Sequence, residues 1–146
     1  MVNVKGIECS LFNGGIKDLL IFLSNEPFAI YISKCTKIDN KDMIMPKSSY
    51  DFCVSPYGLR ELVKASIWEL VLYLYPLETD FQPIKTYDDF IRSSCVCCLI
   101  FYDCGLLEIY VKDALFRDKL YEALLSFQAR DIQLITRDMD ANLLSL

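Results

Sequence analysis

Two apolar runs, Cys95 to Tyr102 and Leu106 to Lys112, are separated only by Asp103, Cys104 and Gly105. A glycine-containing gap this short closes a β-hairpin and leaves no room for the crossover that parallel strands require. At least one strand pair is therefore antiparallel, and every architecture built on a purely parallel sheet is excluded.

The remaining segments interleave strand and helix signals around that hairpin. Val2 to Leu11 is β-like, with a bulge or bend expected at Gly6. After Asn13, Gly14 and Gly15, the residues Ile16, Leu19, Leu20 and Leu23 form a helical stripe that Pro27 ends. Phe28 to Cys35 alternates as a half-buried strand does. Short extended pieces follow near Asp42 to Met45 and Tyr50 to Val54. Ser55 and Pro56 then start a helix that buries Leu59, Leu62 and Val63.

Ile67 to Tyr75 is apolar on both faces except for Glu69, the pattern of a central strand, and Pro76 stops it. Leu77 to Lys85 reads as loop. Thr86 with Asp89 three residues on predicts a capped helix of one or two turns through Ile91. Asp113 caps a longer helix with Phe116, Leu120, Ala123, Leu124 and Phe127 on its inner side. A last strand is expected over Asp131 to Thr136. These segments predict an α+β fold: a mixed, mainly antiparallel sheet with helices packed chiefly on one face. The length fits a single domain over residues 1–146.

Charge and composition narrow the function. A net charge of -5 repels phosphate backbones, so nucleic acid is not an expected partner. Lys34, Lys37, Lys41 and Lys47 are the densest basic group, but Asp39 and Asp42 lie among them, as in a solvated loop. The first residues carry no basic segment leading into an apolar run, and stretches such as Leu19 to Leu23, Leu70 to Leu77 and Cys95 to Tyr102 fall short of the roughly 18 residues of a membrane span. A cytoplasmic protein with no membrane association is expected. Seven cysteines, at 9, 35, 53, 95, 97, 98 and 104, cannot all pair and are expected as reduced thiols.

No histidine is present, which removes the usual general base near neutral pH, the Ser-His and Cys-His nucleophile pairs, and imidazole ligands. Cys95, Cys97, Cys98 and Cys104 have the chemistry of a zinc site, but strand alternation sends Cys95 and Cys97 to one face and Cys98 to the other. Cys104, in the hairpin turn, is the candidate reactive thiol, with Asp103 beside it opposing ionisation. The pairs Asp88 and Asp89, Glu78 and Asp80, and Asp138 and Asp140 read as solvated or capping carboxylates, the last two in a mobile tail. Gly14-Gly15 lacks the further glycine and Lys-Ser/Thr of a phosphate loop. No catalytic residue, cofactor or metal is assigned.

The second half, from about Trp68, resembles a family of short proteins of Gram-positive bacteria known only as a domain of unknown function. The resemblance rests on Tyr75-Pro76, Ile84-Lys85-Thr86-Tyr87-Asp88-Asp89-Phe90, Ser94-Cys95, Asp103, Ile109-Tyr110-Val111-Lys112-Asp113 and Asp131-Ile132-Gln133-Leu134-Ile135-Thr136. Where the family pattern has an arginine after the acidic pair near the C-terminus, this chain has Asp138, Asp140, Ala141 and Asn142. The resemblance implies no activity.

Tyr73 and Tyr75 share one face of a strand, and Tyr110 lies on a nearby one, a set suited to a contact surface. Packing beneath helices is the alternative. The expectation is a noncatalytic protein-protein interaction module that uses these tyrosines or an uncovered strand edge. Its partner is another protein or a second copy in a homodimer; an acidic, immunity-type neutraliser is one form of this. A small enzyme or ligand-binding domain using carboxylates or a thiol is the competing expectation.

Overall fold

The computed structural model describes residues 3–12, 14–37, 43–44, 53–54, 56–62, 67–82, 84–102 and 104–139. Their elements run β1 (Gly6–Ser10), α1 (Gly15–Ser24), β2 (Ala29–Lys37), β3 (Met43–Ile44), β4 (Cys53–Val54), α2 (Pro56–Leu62), β5 (Ile67–Tyr75), α3 (Tyr87–Arg92), β6 (Cys97–Phe101), β7 (Leu106–Val111), α4 (Ala114–Ser126) and β8 (Arg130–Ile135). The expected helix start at Ser55, the buried Val63, the loop residues Asp39, Lys41, Asp42 and Lys47, and the tail beyond Met139 lie outside the described residues.

The body of the molecule is a six-stranded antiparallel sheet in the order β2-β5-β6-β7-β1-β8, with the two-residue strands β3 and β4 both paired to β2. Every described pairing is antiparallel. The hairpin closes β6 on β7, with Leu99 opposite Ile109. β5 is central, between β2 and β6, as its two apolar faces require.

Alternation along the strands divides the core in two. On the first face Ile7, Leu70, Leu72, Leu74, Leu99 and Ile109 meet the buried residues of α1, α2 and α4, among them Leu20, Leu59 and Leu120. On the second, Val71, Tyr73, Tyr75, Cys98 and Tyr110 pack with Phe90 of α3, Ile84 and Met139. Three helices thus serve one face and α3 the other. No described helix is long and apolar enough to cross a membrane.

Helix starts follow the local signals. Thr86 accepts a hydrogen bond from Asp89 N at 3.1 Å while Asp89 accepts from Thr86 N at 3.1 Å, a reciprocal capping box. Asp113 accepts from Phe116 N at the start of α4. Two expectations are corrected. Cys95 precedes β6, so it joins Cys98 on the second face while Cys97 faces the first. The segment after β8 is anchored, because Asp138 forms an ion pair with Lys5 and Met139 is buried.

Candidate functional site

The three tyrosines singled out by their spacing lie together, but inside the protein. Tyr73, Tyr75 and Tyr110 are 1%, 0% and 0% exposed, so they form core and not a contact surface. The second face of the sheet is roofed by residues that read as loop. Phe81 stacks on Tyr31 with ring centroids 4.4 Å apart and meets Tyr75 edge-on at 5.6 Å. Tyr75 donates to Gln82 O at 2.7 Å and Tyr31 to Glu78 O at 2.6 Å, which binds the roof to the sheet. The Tyr73 hydroxyl lies buried beside Ser33, Cys98 and Cys95. Burial pushes the pKa of all three hydroxyls up.

Next to Tyr110 lies a polar cluster that the apolar pattern of β7 concealed. Glu108 is buried, and directly opposite it in the ladder stands Glu8 of β1. Two opposed carboxylates repel. Arg137, just beyond β8, offsets this by donating from Nη2 to Glu8 at 3.0 Å and to Glu108 at 2.5 Å. The hydroxyls of Tyr102 and Tyr110 also donate to Glu108, the latter at 3.0 Å. Glu108 is therefore an acceptor held by Arg137, Tyr102 and Tyr110, an arrangement that ties β6, β7, β1 and the end of β8 together. A glutamate between Leu107 and Ile109 in an otherwise apolar strand was the available signal; its partners are too distant in sequence to be read.

The cysteines divide likewise. Among the described residues, Cys9, Cys35, Cys95, Cys97 and Cys98 are buried free thiols and Cys104 is an exposed one. Burial raises the thiol pKa of Cys9 and Cys95 to about 12 and pushes Cys97 and Cys98 well above the ordinary value. Such thiols are poor nucleophiles. No three His, Cys, Asp or Glu side chains among the described residues form a group that could hold a metal ion.

The remaining feature is an edge. β3 and β4 pair along the outer side of β2, whereas among the described residues β8 pairs with β1 alone. Leu134 of β8 is 51% exposed, and Gln133 is exposed too. Asp131, with φ of 55°, makes a bulge at the start of this strand. A cleft of about 320 Å³ opens beside it, lined by Phe12, Asp18, Ser126, Phe127, Gln128 and Arg130.

Fold and site together define a small α+β protein with a buried core on each face of its sheet and, among the described residues, an open edge at β8. A family model, a protein of unknown function called DUF2691, matches residues 59–144, and the chain belongs to that family. The match spans more than half of the chain and reaches back to α2, earlier than the resemblance from Trp68 suggested. It takes in β5 to β8 and Arg137 but not β1, the strand between β7 and β8. Comparison with curated proteins and with solved structures yields no match.

Proposed function

We propose that the protein is a noncatalytic interaction module that binds another polypeptide by strand addition along the outer edge of β8. The observation that carries this reading is the edge of β8, free among the described residues, with Leu134 half-exposed upon it. An unpaired strand presents a row of N–H and C=O groups, and each backbone hydrogen bond to an added strand contributes a net ~0.5–1.5 kcal/mol. The tyrosines are withdrawn from this role because they fill the core. The seven cysteines, five of them described as buried thiols, support a reducing compartment and hence the cytoplasm.

Affinity capture with the wild-type chain and with Leu134→Lys tests the proposal, because a lysine on an edge strand opposes pairing without disturbing the core. A protein retained by the wild type and lost, by tenfold or more, from a normally folded Leu134→Lys is the expected outcome. Equal retention by both, or a wild type that retains nothing and stays monomeric, would defeat the reading.

A further inference from the structure

Resting on that reading, we propose that the strand added to β8 is β8 of a second copy, paired antiparallel about a two-fold axis at Gln133. The phase of the ladder sets which backbone groups are free. Ile135 directs its carbonyl to Lys5 N at 2.7 Å, and Gln133 pairs with Glu8. Alternation then turns the N–H and C=O of Ile132 and Leu134 away from β1 and toward a new neighbour.

The bulge chooses the register. Asp131 departs from extended geometry, so a regular ladder is confined to the residues after it. Centring the axis on Gln133 uses that half and places Ile132 of one copy opposite Leu134 of the other. Both side chains lie on the first face, where Leu134 is level with Ile7 and Ile132 packs against the core. The apolar surface of one copy thus continues into the other, and the half-exposed Leu134 side chains gain cover.

Closure follows from the sheet. β8 is a free edge among the described residues, and in this pairing both copies use that same edge. An isologous contact made through one surface stops at two molecules and does not build a fibre. The regular ladder is short, and a contact of this size stays below the roughly 1,000 Å² of stable interfaces, so association is concentration-dependent.

Two measurements test this on the full chain. Light scattering from low micromolar to millimolar protein is expected to show the mass doubling for the wild type but not for Leu134→Pro, which removes an outward N–H and keeps the β1 ladder, or for Leu134→Lys should the proline variant fail to fold. In a Cys104→Ser background, Gln133→Cys places two thiols across the axis, where facing Cα atoms about 4.5 Å apart suit a disulfide. Oxidation should link it at least tenfold faster than Glu122→Cys on α4. A wild type monomeric at millimolar concentration, or equal rates for the two cysteine variants, overturns the self-pairing. If such a protein still captures a foreign partner through Leu134, strand addition stands and only the second copy is wrong.

Discussion

Gly6 and Gln128 show how a single backbone position sets which side chain is tolerated. A Cβ at Gly6 would lie 2.0 Å from the carbonyl oxygen of Ile109, because β1 is threaded between β7 and β8 and the backbones approach closely there. Gly6 lies within both ladders, and what it supplies there is space. Gln128 has the opposite problem. It follows α4 with φ of 61°, and Ala129 N reaches back to Leu124 O at 3.0 Å, a helix ending in which glycine is usual. We predict that Gly6→Ala destabilises by roughly 1–3 kcal/mol through overpacking, whereas Gln128→Gly stabilises by about 1 kcal/mol by relieving left-handed strain. Urea unfolding midpoints should move in opposite directions with an unchanged slope; midpoints that move together would contradict both assignments.

Elements defined by neighbouring residues were legible, and elements defined by distant ones were not. The hairpin β6–β7, the capping box at Thr86 and the cap at Asp113 each follow from residues a few positions apart. The place of β8 does not, because its pairing with β1 joins opposite ends of the chain. The same limit hid the Arg137 bridge to Glu8 and Glu108, and it hid the role of Phe81 and Gln82, which read as loop and serve as a roof. Among the legible elements α4 offers a direct test. Its cap is a single bond, Phe116 N to Asp113 Oδ2 at 3.1 Å, and the helix covers the first face with Phe116, Leu120 and Leu124. Asp113→Ala should cost about 1 kcal/mol, read as a lower melting temperature, and Asp113→Asn should recover most of it. No loss in the alanine variant would show that packing alone holds the start of this helix.

At the scale of the molecule, the sheet is buried on both faces, and most of the described cysteines lie within that double core. Cys9, Cys35, Cys95, Cys97 and Cys98 are small apolar residues that complete two cores. The interior is accordingly closed to thiolate, and this has a pH consequence. In the folded protein Cys9 and Cys95 ionise only near 12, and Cys97 and Cys98 are likewise pushed far up, against an ordinary value of 9.0. A folded-state value raised above the unfolded one means that the stability contributed by the neutral thiols is fully present below pH 9. It is lost as the pH climbs toward 12, because the unfolded chain releases these protons first. Each such group weakens the fold by about 1.4 kcal/mol per pH unit in that window. Tyr73, Tyr75 and Tyr110, raised from 10.0, add to the decline one unit later. The melting temperature should therefore change little from pH 7 to 8.5 and fall steeply above 9, with a shallower fall in Cys97→Ala once its lower starting stability is subtracted. A melting temperature level to pH 11 would mean that these thiols ionise alike in the folded and unfolded chain, and that the two cores are open to solvent.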